Sequence, residues 1–403
     1  MTDVNPDPEP ASPRTRWWPP AKFDRNELAG AFGGIGTDLP LLTAMILAGG
    51  LNSASVFTVF GFFQVLSGLL YGIPMPVQPL KAVAAIVIAQ KLSGPILFGG
   101  GLSIGIVMLI LTMTGVADWI ARVTPKAVVR GMQFGLGLML CQLALKNYVV
   151  SEGVKGAALA GAGFVITLCL LGHRKYPAAL LVILLGILYA FFFPISDGPP
   201  FHGFGFSAPR FHVPAVQDIV QGFLLLGLAQ IPLSLANSVV ATRQVAQDFF
   251  PEKHMTARKI GFTYSVMNLL APFLSGVPVC HGSGGMVGHH LFGARTGGSV
   301  ILYGAIYLLI GMFFSLSGTG GVIHLFPLPI LGVLLFFEGL ALLRLVADVA
   351  DSKAQLSIVF LVGTLSAGLP YGFAIGMAVG TGLARLSARY PSGFTGIQGT
   401  GRN

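Results

Sequence analysis

Of 403 residues, 54% are hydrophobic and only 10% charged, against about a quarter charged in ordinary soluble domains, and the mean hydropathy is +0.78. Lipid is therefore the solvent for most of the chain, which excludes a soluble globular domain and favours a transporter or channel over a single-span anchor. The formal charge of +9 comes from Lys and Arg scattered singly between apolar stretches, a pattern of positive-inside loops and not of a nucleic-acid-binding patch.

Residues 1–25 are polar and Pro-rich, with Arg14, Arg16, Lys22 and Arg25 ahead of the first apolar run, and read as a disordered cytoplasmic tail without a cleavable signal peptide. Apolar stretches suited to a hydrocarbon core of about 30 Å follow at 28–50, 54–72, 77–91, 95–117, 127–146, 157–172 and 176–194. A second set lies at 214–237, 258–275, 282–293, 298–317, 325–345, 354–369 and 371–388. The third stretch of each set is too short, and too broken by Gly or Pro, to cross as one helix. Counting from a cytoplasmic N-terminus, three basic connections fall inside: Arg122, Lys126 and Arg130; His173, Arg174 and Lys175; Lys253, Arg258 and Lys259. The connection 195–213, whose one Lys or Arg is Arg210, falls outside, and the tail 391–403 returns to the cytoplasm. Cys141, Cys169 and Cys280 lie in or beside apolar runs and read as packing thiols.

The halves 26–194 and 214–390 echo each other. Gly72 and Pro74 match Gly276 and Pro278 at an offset of 204, and the same step takes Gly100 to Gly304 and Pro125 to Pro329. Seven spans per half is an odd number, so the two repeats insert with opposite orientation, the inverted-repeat plan of secondary transporters. The expected fold is all-α and integral to the membrane: about fourteen spans in a seven-plus-seven inverted repeat.

Two segments at matching positions carry the chemistry: Gly72-Ile-Pro-Met-Pro-Val-Gln-Pro-Leu-Lys81 and Gly276-Val-Pro-Val-Cys-His-Gly-Ser-Gly-Gly285. Prolines 74, 76 and 79 forbid a regular helix until Pro79, a favoured first-turn residue. In the second segment the helix starts near Gly282 to Gly285. Both half-helices would begin near the midplane with free N–H groups and positive dipole ends, which bind anions. Gly282, Gly284 and Gly285 admit an anion close to the backbone. Ser283 supplies a hydroxyl, Gln78 an amide, and Pro79 and His281 complete the two starts. Neutral donors suit an anion that must bind and then leave. Lys81, in the first turn of an apolar half-helix, is costly there; it either attracts the anion or pairs with Asp38 or a carbonyl.

Lower-ranked polar candidates are Thr37, Gln64, Gln230 and Asn237, which serve either helix packing or the ligand. Asp38, and more weakly Glu338, are candidates for coupling a proton. Cys280, His281, His289 and His290 lack the spacing of a metal site. The Gly-x-Ser-x-Gly pattern of a hydrolase elbow fails at His281. No Gly-Lys-Ser/Thr loop offers an ATP site. Neither metal nor cofactor is expected, nor an enzyme.

Pro74-Met-Pro-Val-Gln-Pro-Leu-Lys81, Asn237-Ser-Val-Val-Ala, Pro278-Val-Cys-His-Gly-Ser-Gly-Gly-Met and Phe292-Gly-Ala-Arg-Thr-Gly297 resemble the molybdate transporter family, related to the sulfate permeases and more distantly to the uracil permeases. The resemblance runs from about residue 27 to 388. It implies a core domain of spans 1–4 and 8–11 that holds the anion and a gate domain of spans 5–7 and 12–14. Its implied substrate is molybdate, with tungstate or sulfate as neighbours. Two departures stand out. The family's Gly-Asp-Leu-Gly-Thr is here Gly33-Gly-Ile-Gly-Thr37, with the acid displaced to Asp38, and glycines 284 and 285 stand where sulfate permeases often carry an Arg.

The expectation is a secondary active oxyanion transporter of the inner cell membrane, with both termini cytoplasmic, a co-transported proton and a homodimeric form as possible partners. Its rivals are a nucleobase permease of the same fold, against which the absence of an acid from 275 to 295 speaks, an anion channel, and an intramembrane hydrolase using Ser283.

Overall fold

A computed structural model describes residues 21–116, 125–170, 178–193, 205–314, 327–369 and 371–389. Arg14, Arg16, Arg122, His173, Arg174, Lys175, most of the 195–213 connection and the 391–403 tail lie outside the described residues. The first half contains α1 (Arg25–Gly49), α2 (Ser53–Tyr71), strand β1 (Val77–Pro79), α3 (Lys81–Gln90), α4 (Gly94–Thr114), α5 (Lys126–Tyr148), α6 (Gly153–Cys169) and α7 (Ala178–Phe192). The second contains α8 (Val216–Phe249), α9 (Ala257–Leu270), strand β2 (Val279–His281), α10 (Ser283–Leu291), α11 (Gly298–Phe313), α12 (Leu328–Val349), α13 (Lys353–Gly368) and α14 (Gly372–Arg389). Among the described residues, six helices are long and apolar enough to cross a membrane: α1, α2, α4, α5, α8 and α12.

Local chemistry sets the boundaries. Asp24, Asn52, Thr256 and Ser352 accept hydrogen bonds from first-turn N–H groups of α1, α2, α9 and α13, filling donors that a helix start leaves orphaned. Left-handed Gly50 and Gly72 stop α1 and α2. The clearest departure from the expected boundaries is α8, which runs to Phe249 where the apolar pattern ends near 237. Its last turns, Thr-Arg-Gln-Val-Ala-Gln-Asp-Phe, are polar and amphipathic, so the helix outlasts the apolar stretch. Widened, π-type turns at Phe223–Gly227 and Ser234–Ala241 interrupt α8, a distortion common at functional sites.

Packing falls into two groups. Helix α11 lies against α2 and α1, and α4 against α9 and α8; separately, α5 lies against α12, α13 and α14, and α12 against α6. Fewer contacts cross between the groups, through α1 with α12 and α3 with α5. Glycine lets the first group close up. A Cβ on Gly304 of α11 would stand 2.6 Å from the Gly61 carbonyl oxygen of α2, so those two helices touch backbone to backbone. Glu27, 2% exposed, joins α1 to the start of α11: its carboxylate accepts from the N–H groups of Arg295, Thr296 and Ser299.

One feature departs from an all-helical expectation. Strands β1 and β2 pair antiparallel, Val77 with His281 and Pro79 with Val279, and Leu80 N–H extends the ladder to the Pro278 carbonyl at 3.1 Å. A side-chain amide clamps the outer edge of each strand. Gln64 of α2 donates to Val77 O at 2.6 Å and accepts from Val77 N at 2.9 Å; Asn268 of α9 does the same to Val279, at 2.7 and 2.9 Å. The clamps stand 204 positions apart, as the sequence match has it, but the strand and helix starts, Val77 and Val279 or Lys81 and Ser283, stand 202 apart. The connection into β2 is shorter by two, so the residue corresponding to Pro278 is Pro76 and not Pro74. Replacing Gln64 or Asn268 by Ala orphans two buried backbone groups, at roughly 1–3 kcal/mol each. Either variant is expected to lose about 2–6 kcal/mol of stability, seen as a lower melting temperature of the detergent-purified protein.

Candidate functional site

The ladder sets the starts of α3 and α10 side by side, and a cavity of about 350 Å³ opens beside them. Gln78, Lys81 and Ala82 line it from the first half, Gln230, Leu233, Asn237 and Ser238 from α8, and Cys280, His281, Gly282, Ser283 and Gly284 from the second half-helix segment. Helix α5 adds Arg130, Gln133 and Leu136, and α12 adds Ala341, Leu342 and Leu345. A larger cavity, about 690 Å³, lies toward the C-terminal end of α3, with Ala48, Ala89, Lys91, Gln142, Lys146 and Leu328 among its walls. Between the two, residues 83–87 of α3 are all buried, so the cavities are separated by packed side chains.

The two helix starts are not alike. Both α3 and α10 lack a capping side chain from their own N-cap residue. In α3, however, the Gln230 amide oxygen accepts from the N–H groups of Ala82 and Val83, at 3.1 and 3.3 Å. Gln230 is itself fixed through Ser234 Oγ at 3.0 Å, which meets the Tyr264 hydroxyl at 2.7 Å. Gln230 thus caps the start of α3, whereas the start of α10 has no side-chain cap from Gly282. At α10, Ser283 and Gly284 both line the cavity, and a Cβ built on Gly284 meets nothing within 4 Å. The first turn of α10 thus presents backbone N–H groups and the positive end of a nine-residue helix to an open space.

Lys81 lines the cavity with its side chain 31% exposed and forms an ion pair with Glu338 of α12, not with Asp38 or a carbonyl. Thr37 donates to the other Glu338 oxygen at 2.7 Å, so Thr37 reaches the site through Glu338. Asp38 is fully buried, accepting from Gln78 Nε2 at 3.1 Å and from the Tyr303 hydroxyl at 3.2 Å. Gln78 is thereby oriented across Gly282, where any Cβ would fall 1.7 Å from its Oε1. His281 turns its Nε2 to Thr263 Oγ1 at 2.9 Å, and its ring meets Tyr71 edge-on, so its backbone rather than its imidazole belongs to the site. Gln64 and Pro79 serve the ladder and Gly285 packs on Pro76 and Gln78; none of these three is among the residues lining the cavity.

Two cavity residues escape a reading of the sequence. Arg130 registers there only as a loop charge, and Gln133 not at all, yet both lie on one face of α5, three residues apart. Arg130 donates to Gln133 Oε1 at 2.8 Å and pairs with Asp348, while Gln133 donates to Asn237 Oδ1 at 2.9 Å. The signal is a charged and an amide side chain at helical spacing inside an apolar stretch, which in lipid marks an inward-facing polar stripe. The cavity therefore offers uncapped backbone donors, the Ser283 hydroxyl, amides, and two cations already held by carboxylates. That is chemistry for a small anion that arrives and leaves intact.

Comparison with known proteins identifies the family. A family model described as "Molybdate transporter of MFS superfamily" matches residues 26–140 and 222–342. Molybdate transporter 2 of Arabidopsis thaliana is 31% identical over 389 residues, covering 85% of this chain and 82% of the relative. The transmembrane domain of the cyanobacterial bicarbonate transporter BicA has the same fold, with a TM-score of 0.68 at 15% identity over 89% of this chain and 100% of that one. So does the murine solute carrier 26 family member A9 anion transporter in its inward-facing state, with a TM-score of 0.69 at 13% identity over 92% of this chain and 69% of that one. The match in sequence across both halves and the shared fold together place the chain in the molybdate transporter family, as a multi-pass membrane transporter and not an enzyme.

Proposed function

We propose that this protein is a secondary active transporter of a tetrahedral oxyanion, with molybdate its principal substrate and tungstate and sulfate as competitors. The observation that carries the reading is the uncapped start of α10 on a cavity that also holds Lys81 and Arg130. Backbone N–H groups and a helix dipole bind a compact anion without the fixed charge that would keep it from leaving. The anion sits against Ser283 and Gly284, with Lys81, Gln78 and Asn237 around it. Gln230, Thr37 and Gln64 position the groups that touch it. In this reading the two halves are inverted repeats, and α1–α4 with α8–α11 form a core that moves against a gate of α5–α7 and α12–α14 to expose the cavity alternately to either face. Both termini lie in the cytoplasm and the membrane is the inner cell membrane.

Reconstitution into liposomes tests it. Uptake of molybdate is expected to saturate with concentration and to be inhibited by tungstate and sulfate but not by uracil. Uptake that rises linearly without saturation would make the protein a channel, and uptake of uracil in preference to oxyanions would make it a nucleobase permease.

A further inference from the structure

The two largest polar investments at the site face each other across the boundary between the helix groups. Lys81 opens α3, which follows directly on the ladder. Glu338 belongs to α12, on the opposite side. Residues of α12 line the larger cavity at Leu328 and the smaller one at Ala341 and Leu342, so Glu338 lies at a depth between the two. Its carboxylate is almost enclosed, with a side chain 10% exposed against 31% for Lys81. Both oxygens are engaged, one by Lys81 and one by Thr37. The partner that lines the cavity is the ammonium, and the partner behind it is the carboxylate.

Among the described residues, the surrounding charges leave Lys81 as the cation for Glu338. From α1, Asp38 lies within electrostatic range of both, as a second carboxylate. On α5, Arg130 and Lys126 turn to Asp348, while Lys146 and Tyr148 line the other cavity. On α6, Lys155 lies over the Phe193 ring, against which Tyr189 of α7 also stacks. Arg344, further along α12, is exposed. One ammonium thus pairs with Glu338 while standing in the field of Asp38, and a dianion entering beside it would be a further claimant.

Resting on the oxyanion reading above, we propose that Glu338 is a built-in competitor for the transported anion: it holds the Lys81 ammonium while the cavity is empty, and gives it up, taking a proton from solvent, when the oxyanion binds. A buried carboxylate stripped of its cation costs several kcal/mol, and protonation removes that cost because the neutral acid keeps Thr37 as a hydrogen-bond partner. Asp38, the acid the sequence favours for coupling, is held by Gln78 and Tyr303 away from any cation contact. One proton therefore enters with each anion, and the ion pair that bridges the two helix groups opens only when substrate is there to replace it.

Calorimetry on the purified full-length protein decides the matter. Molybdate is titrated near pH 7 in buffers of differing ionisation enthalpy, so that proton uptake is read separately from binding. Wild type is expected to take up about one proton per anion. Glu338→Gln is expected to take up none and, freed of the competitor, to bind at least about tenfold tighter, which is roughly 1.4 kcal/mol. Glu338→Asp, which keeps the charge, is expected to keep the proton. Binding without proton uptake in wild type, an unchanged proton count or weaker binding in Glu338→Gln, or a proton count abolished by Asp38→Asn alone, each overturns the proposal. No binding of any oxyanion by wild type would instead sink the transport reading on which it rests.

Discussion

Gly284→Ala is expected to leave the melting temperature unchanged or slightly raised while weakening molybdate binding by at least about a hundredfold, roughly 2.7 kcal/mol. The two halves of that expectation have separate causes. A Cβ at Gly284 meets nothing within 4 Å, and alanine is the better helix former by about 1 kcal/mol, so the fold has no reason to object. In the proposed site the same empty space is where the anion approaches the first-turn N–H groups of α10, and a methyl group there would remove charge-assisted hydrogen bonds worth roughly 1.5–3 kcal/mol. Gly282→Ala is the contrasting case. Its Cβ would stand 1.7 Å from Gln78 Oε1 and 2.4 Å from Gln78 Cδ, so it must dislodge the amide that bridges to Asp38, and stability and binding should fall together. Wild-type affinity in Gly284→Ala, measured by calorimetry beside a melting curve, would move the anion away from α10.

Lys81→Met is expected to be the most damaging single change at the site. It leaves Glu338 with the Thr37 hydroxyl alone, which costs up to about 3–5 kcal/mol for as long as the carboxylate stays charged, enough to threaten a membrane protein in detergent. It also strips the cavity of one of its two cations. The pair Lys81→Met with Glu338→Gln separates these effects: removing both charges should recover most of the melting temperature, because a buried ion pair is often replaceable without loss, yet uptake should stay near background. Should the double variant transport normally, the ammonium has no part in holding the anion.

What could be read from the sequence follows a simple division. Apolar runs, the two proline- and glycine-broken segments, and a lone Lys81 at the start of an apolar half-helix are local signals, and each is written within a dozen or so neighbouring residues. What could not be read are the partnerships. Lys81 finds Glu338 across 257 residues, Gln230 caps α3 across 148, and Gln133 meets Asn237 across 104. No spacing rule reaches that far, so the sequence allowed Lys81 to face Asp38 and counted the N-terminus of α3 as free. Gln64 and Asn268 stand 204 positions apart and the strands 202, because the connection into β2 is shorter. That difference is invisible among so many prolines and glycines.

The ladder between β1 and β2 has a further consequence. Three paired residues, clamped on one side by Gln64 and on the other by Asn268, weld the two half-helix segments into a single mechanical part. Under the alternating access proposed above, a displacement of α3 would be passed directly to α10, and the distance between Lys81 and the first turn of α10 would be preserved whichever face of the membrane the cavity meets. On that reading the gauge that measures an oxyanion is cut once, in the ladder, and reads the same size at loading and at release. Discrimination between large and small tetrahedral anions would then belong to the gauge, and the direction of travel to the helices around it.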